Sequence, residues 1–165
     1  MKYKSTRGTA THKTFEEVLF AGYAEDGGLY VPTSIPKIDA NTLKAWREKN
    51  PSYPEIVSEV IKYFISEDEI PLVDQKECVT KAYSKFSIPE ILRLKNLRQY
   101  GNVQVAELFH GRTASFKDYA LSLVGQLIEY FTRIRQQRTI ILVNKAQTDK
   151  TYFRIQFEVE FFKRA

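Results

Sequence analysis

Two short apolar runs flank one long amphipathic stretch in the second half of the sequence, and this order constrains the fold most. The runs VQVAELF (103–109) and RTIILV (138–143) are rich in aliphatic residues and have the length of strands. Between them Leu123, Leu127 and Phe131 recur at helical spacing. RTIILV has no polar alternation, which is typical of a strand buried in a parallel sheet. A strand, a helix and a second strand predict the opening of an α/β domain.

The residues before this unit predict a mainly helical N-terminal part with some strand. Thr14 and Glu17 form a T-x-x-E capping box, which predicts a helix that ends at Gly22. Three further helices are predicted, from near Asn41, over residues 52–65 and over residues 70–86. The run EILRL (90–94) reads as a strand that turns into VQVAELF at the Gly101-Asn102 pair. The predicted fold class is therefore α/β with an α+β N-terminal part.

The tail FRIQFEVEFF (153–162) alternates apolar and polar residues, the period of a half-buried or edge strand. It differs in character from the α/β beginning. The predicted domains are therefore 1–100, the start of an α/β domain at 101–143, and a divergent tail at 144–165. The strand over Phe153 to Phe161 either completes the small sheet or offers an edge for self-association.

Composition and charge exclude several classes of function. No apolar run is long enough to span a bilayer, which predicts a soluble, cytoplasmic protein and leaves unconventional secretion open. Residues from Thr132 onward hold eight Lys or Arg against three acidic residues, which accounts for the whole net charge of +5. We predict that Arg133, Arg135 and Arg138 place favourable positive charge at a helix C-terminus, and that the chain has no nucleic-acid partner. The lone Cys78 has no partner for a disulfide.

Three motifs occur in order: STRG (5–8), DGGLYVP (26–32) and ELFHGRTASFKD (107–118). Together they resemble the threonine synthase family, most closely its threonine synthase-like branch, over residues 1 to about 143. The resemblance implies a threonine synthase N-terminal domain followed by the first strand-helix-strand of a pyridoxal-phosphate domain of fold type II. It also implies a lyase that expels phosphate from O-phosphorylated hydroxy-amino acids such as O-phosphohomoserine.

The resemblance assigns the site residues. Lys117 is implied as the catalytic residue that holds pyridoxal 5'-phosphate as a Schiff base, and Phe116 as its neighbour beside the ring. His110 to Thr113 are implied as the turn that delivers the lysine. Arg7 either approaches a substrate phosphate or forms a structural salt bridge. His12 is the second histidine, and its distance from His110 offers no ligand spacing, so we predict no metal site.

Two departures from the family pattern bear on activity. Arg112 stands where the family's HGPT motif has proline. The family's Ser/Gly-rich phosphate loop is replaced by NKAQTDK (144–150), and no glycine follows Gly125. We therefore expect a C-terminally truncated form with no turnover of its own. The alternative is a non-enzymatic interaction or regulatory module.

Overall fold

The computed structural model describes residues 1–136. Its helices are α1 (Phe15–Ala21), α2 (Ala40–Lys49), α3 (Tyr53–Ile61), α4 (Leu72–Tyr83) and α5 (Asp118–Arg135). Its strands are β1 (Tyr3–Ser5), β2 (Tyr30–Pro32), β3 (Arg93–Asn96) and β4 (Gln104–Glu107), with a short 3-10 helix at Arg98–Tyr100. The chain divides into two compact units, Met1–Thr80 and the residues from Lys81 onward. The predicted domain bound at residue 100 stays a prediction. The predicted bound at residue 143 lies outside the described residues.

In the first unit β1 pairs with β2 in antiparallel register, with Tyr3 opposite Pro32 and Ser5 opposite Tyr30. The sequence did not predict β1, because three residues are too few to establish an alternating pattern. The buried Tyr3 hydroxyl donates a hydrogen bond to the carbonyl oxygen of Phe64, 2.8 Å away. This bond ties the small sheet to the segment that follows α3.

The start of α1 is capped by side chains. Glu17 donates its N–H to the Thr14 hydroxyl at 3.2 Å, and the Thr14 N–H is bonded to the Glu17 carboxylate at 2.7 Å. This confirms the predicted capping box and the helix that ends before Gly22. The helix predicted over 52–65 is shorter than expected. It ends at Ile61. Beyond that residue the backbone makes hydrogen bonds of the 3-10 type, such as the one from the Phe64 N–H to the Ile61 carbonyl oxygen.

The core of the first unit is small and includes one polar side chain. Ile65, Ile70 and Val79 are almost completely buried, and Ile65 keeps this role although it lies beyond α3. Gln75 is also buried, and its amide N–H groups donate to the carbonyl oxygens of Ile65 and Ile70, at 3.3 and 2.8 Å. These bonds give two carbonyl groups of the loop before α4 a side-chain donor.

In the second unit β3 and β4 form the predicted antiparallel hairpin, with Arg93 opposite Glu107. Two details differ from the prediction. The connection contains the 3-10 helix at 98–100 in place of a tight two-residue turn. Ile91 does not extend β3, because its φ of 64° is left-handed and its side chain is buried.

The helix α5 follows the hairpin and confirms the predicted helical period. Its buried residues Leu127, Tyr130 and Phe131 lie on one face. The helix ends at Arg135, and the next residue, Gln136, caps it in a left-handed conformation with φ of 52°. The predicted strands at 138–143 and 153–161 lie outside the described residues.

Candidate functional site

Lys117 lies at the start of α5, one residue before the first helical residue. Its side chain is exposed, and its ammonium group makes no hydrogen bond or ion pair with any residue of the described range. The neighbouring Phe116 ring is 65% exposed. The two residues that the motif singled out therefore present a free amine and an uncovered aromatic ring next to each other in the chain.

The turn before Lys117 is fixed by contacts of a buried histidine. The His110 ring lies 2.9 Å from the Glu107 carboxylate, measured from Nε2 to Oε2, and both side chains are largely buried. The His110 carbonyl oxygen accepts hydrogen bonds from the N–H and the hydroxyl of Ser87, at 2.9 and 3.0 Å. His110 thus joins β4 to the segment after α4, in agreement with its prediction as a turn residue.

The carboxylate of Asp118 holds the other side of the turn. It accepts the Thr113 N–H at 2.8 Å and the Thr113 hydroxyl at 2.6 Å. A Cβ added at Gly111 would lie 2.3 Å from the Asp118 Oδ2 and 2.4 Å from its Cβ, so only glycine fits there. We call these three residues, Gly111, Thr113 and Asp118, the lysine clamp.

Tyr119, the next residue, is buried and anchors the start of α5. Its hydroxyl donates to the carbonyl oxygen of Ile91 at 2.7 Å and lies 3.3 Å from that of Glu107. Its own carbonyl accepts the Tyr83 hydroxyl at 2.9 Å. Phe86 packs edge-on against the Tyr119 ring, with centroids 5.0 Å apart. The backbone that carries Lys117 is therefore tied to the hairpin and to the end of α4.

The first unit contains a second carboxylate cluster, formed by the STRG and DGGLYVP motifs. Asp26 accepts hydrogen bonds from the hydroxyls of Thr9 and Ser5, the latter at 2.7 Å, and from the Gly28 N–H at 2.9 Å. The Thr9 hydroxyl, followed by these other donors, holds the pKa of Asp26 below its usual range. The Arg7 guanidinium donates a hydrogen bond to the backbone carbonyl oxygen of Asp26 at 3.1 Å, and the described residues show no salt bridge of Arg7.

Sequence reasoning missed Asp118, Glu107 and Tyr119 as residues of the site. A signal existed for Asp118, because an acidic residue in the first turn of a helix is a good partner for nearby backbone N–H groups. The roles of Glu107 and Tyr119 depend on the path of the hairpin, which no local pattern specifies.

The described part of the chain contains no group of three or more His, Cys, Asp or Glu residues placed to hold a metal ion. It also contains no helix that is both long and apolar enough to cross a membrane. The NKAQTDK segment at 144–150, where the phosphate loop was expected to be replaced, lies outside the residues that the structure describes.

Comparisons with solved structures give the class of protein. The chain superposes with a TM-score of 0.77 and 39% identity on a threonine synthase from Brucella melitensis solved with PLP bound, covering 84% of this chain and 29% of that one. It matches yeast threonine synthase with a TM-score of 0.75 and 38% identity, covering 82% of this chain and 27% of that one. The fold is α/β and matches the N-terminal part of threonine synthases, as predicted.

Sequence comparisons then give the family. Residues 2–83 match the model described as Threonine synthase N terminus. Threonine synthase-like 2 of Xenopus laevis is 41% identical over 143 residues, which are 87% of this chain and 29% of that protein. Threonine synthase of Schizosaccharomyces pombe is 42% identical over 131 residues, 79% of this chain and 25% of that protein. The chain belongs to the threonine synthase family and spans less than a third of the length of these relatives.

Proposed function

We propose that this chain provides the N-terminal domain and the cofactor lysine of a pyridoxal-phosphate-dependent phospho-lyase. Lys117 is the proposed attachment point for pyridoxal 5'-phosphate, and Phe116 the side chain beside the cofactor ring. The observation that supports this most directly is the free, exposed Lys117 amine at the start of α5, within the motif that implies the role. The relative from Brucella melitensis, 39% identical, was solved with PLP bound, which supports the choice of cofactor.

The residues present fit the cofactor. A primary amine without a competing carboxylate can attach covalently to an aldehyde, since no ion pair within the described range has to be broken first. The exposed Phe116 ring offers an apolar surface that can exclude water from one face of an aromatic ligand. When bound, the cofactor withdraws electrons from the carbon next to the substrate amine. Lys117 would then hold or move a proton at that carbon.

The proposed substrate class is a small O-phosphorylated hydroxy-amino acid such as O-phosphohomoserine. We propose in addition that this chain has no turnover alone. The sequence NKAQTDK contains no glycine, whereas backbone N–H groups that cradle a phosphate need close approach, which glycine permits. Cofactor attachment and turnover are therefore separate proposals, with separate measurements.

Pyridoxal phosphate labelling tests the cofactor proposal. The purified chain is mixed with pyridoxal phosphate, its visible spectrum is recorded, and the adduct is reduced with borohydride and located by peptide mass spectrometry. We expect one label per chain on Lys117, and loss of that label in Lys117→Arg. Lys95→Arg is the matched control, because Lys95 is an exposed lysine on β3 outside the motif. Weak labelling spread over many lysines would contradict the proposal.

The proposed lack of turnover is tested separately, by phosphate release from O-phosphohomoserine in the presence of excess pyridoxal phosphate. Release above the level given by Lys117→Arg would contradict it. Selective labelling of Lys117 together with no phosphate release would agree with both proposals.

A second candidate function, an interaction module, is favoured by apolar side chains that the hairpin leaves uncovered. Leu94 is 57% exposed, Val105 43% and Phe109 55%. The proposed partner is a second copy, joined through the predicted strand at 153–161. Sedimentation velocity tests this by comparing the full chain with a chain that ends at Val143. A monomer at all concentrations would exclude self-association, and a dimer lost on shortening would support it.

A further inference from the structure

The backbone around Lys117 is more restrained than its side chain. The Lys117 ammonium makes no hydrogen bond or ion pair with a described residue, so the backbone at its Cα atom is what restrains where the side chain starts. Asp118 follows directly and is only 8% exposed. A restraint on Asp118 is therefore also a restraint on the origin of the Lys117 side chain.

The lysine clamp supplies that restraint through three contacts of one side chain. Two are the hydrogen bonds from the Thr113 N–H and hydroxyl to the two carboxylate oxygens, at 2.8 and 2.6 Å. The third is the close approach of Gly111, where an added Cβ would meet the Asp118 side chain. Because Thr113 precedes Lys117 by four residues, the clamp closes a short loop whose two ends cannot move independently.

The loop inside the clamp is also strained. Ala114 has a φ of 57°, a left-handed conformation that residues with a Cβ rarely adopt. Its N–H donates to the Gly111 carbonyl at 3.2 Å, and the Lys117 N–H lies 3.3 Å from the Ser115 hydroxyl. Strain of this kind persists only where surrounding contacts hold the chain in place.

We propose that Asp118 is a positioning residue for Lys117, and that its carboxylate fixes the turn from which the Lys117 side chain extends. This inference rests on the proposed function, since it concerns how Lys117 meets the cofactor aldehyde. Asp118 itself touches neither cofactor nor substrate in this proposal. It acts through Thr113 and through the backbone at the start of α5.

The test is the rate and selectivity of pyridoxal phosphate labelling in the full chain. Asp118→Asn keeps the shape of the side chain but removes its negative charge, so the hydrogen bonds from Thr113 are no longer charge-assisted. Thr113→Val removes the hydroxyl, and Thr113→Ser restores it. We expect Asp118→Asn and Thr113→Val to label Lys117 roughly tenfold more slowly, because a small misplacement of a reacting group costs much of its rate. Thr113→Ser should return towards the rate of the unmodified chain.

Leu127→Ala is the control for lost stability, because it removes a buried side chain of α5 and leaves the clamp unchanged. Its Lys117 should label like that of the unmodified chain at temperatures where circular dichroism reports it folded. Equal labelling rates in Asp118→Asn, Thr113→Val and the unmodified chain would overturn the positioning role and leave the cofactor proposal intact. Unselective labelling of the unmodified chain would overturn the cofactor proposal, and the positioning role with it.

Discussion

Each of the two units contains an aspartate that accepts hydrogen bonds from a threonine hydroxyl and from a backbone N–H. In the first unit Asp26 bonds Thr9, Ser5 and the Gly28 N–H. In the second unit Asp118 bonds both groups of Thr113. Each cluster also includes a glycine with no room for a Cβ, at 28 and at 111. The same device therefore closes two unrelated loops.

The clusters differ in burial and in what lies beside them. Asp26 is partly exposed and joins β1 to the loop before β2, far along the chain from any helix start. Asp118 is buried, begins α5 and follows Lys117. A carboxylate cluster of this kind is a structural tie in the first unit, whereas in the second we propose that it also positions the Lys117 side chain.

Gly111→Ala should have the largest effect. The new Cβ would lie 2.4 Å from the Asp118 Cβ, which every residue except glycine possesses, so shortening Asp118 cannot relieve the contact. We expect a loss of roughly 3 kcal/mol in the free energy of unfolding, at the upper end of overpacking effects. Urea denaturation measures it. Asp118→Ala combined with Gly111→Ala should recover little, and full recovery would contradict a contact with the Asp118 Cβ.

Gly28→Ala should cost somewhat less, roughly 2 kcal/mol, because its closest contact is a single side-chain atom. The added Cβ would lie 2.3 Å from the Ser5 hydroxyl oxygen, and the next contacts are at 3.0 Å. Ser5→Ala removes that oxygen, so the double variant should be more stable than the sum of the single changes by about 1 kcal/mol. Additive losses in urea denaturation would show that the hydroxyl is not the obstacle. This rescue is the sharpest distinction between the two glycines.

Tyr3 gives the first unit a pH dependence. Burial, with a smaller contribution from the Glu69 carboxylate, raises the pKa of Tyr3 to about 12. The unfolded chain ionises this tyrosine near its ordinary value of about 10 and so binds fewer protons than the folded chain above that pH. The contribution is therefore complete below pH 10 and is lost as pH rises from about 10 to 12.

Tyr3→Phe should remove this decline and cost about 1 kcal/mol at neutral pH, since the Phe64 carbonyl loses its donor. Denaturation midpoints between pH 8 and 12 measure both effects. Tyr23→Phe is the control, because the Tyr23 side chain is 73% exposed. An unchanged decline in Tyr3→Phe would assign the pH dependence to another group.

The sequence predicted elements whose signals are local. The Thr14 capping box and the helical period of α5 are set by residues three and four apart, and both were confirmed. The end of α3 was predicted too late, because Phe64 and Ile65 continue the apolar pattern although the chain leaves the helix at Ile61. Ile65 is buried although it lies outside the helix, so its apolar character reports burial and not the end of the helix.

The candidate site divides in the same way. Lys117 and Phe116 were assigned by a motif, and their roles stay a prediction. Asp118 was in the same motif but was not assigned, because its bonds to Thr113 arise only once the turn and α5 have formed. Glu107 and His110 meet because β4 ends between them, which spacing alone does not reveal.

The two loops also differ in which residue takes the left-handed conformation, and this yields the smallest predicted effect. Gly27 takes it in the first unit, with φ of 74°, whereas Ala114 takes it in the second, with φ of 57°. Ala114→Gly should stabilise the chain by about 0.5 kcal/mol, since relief of the Cβ strain slightly exceeds the entropy cost of glycine. Gly27→Ala should destabilise it by about 1 kcal/mol. Thermal unfolding measures both, and effects of equal sign would mean that backbone strain does not separate the two loops.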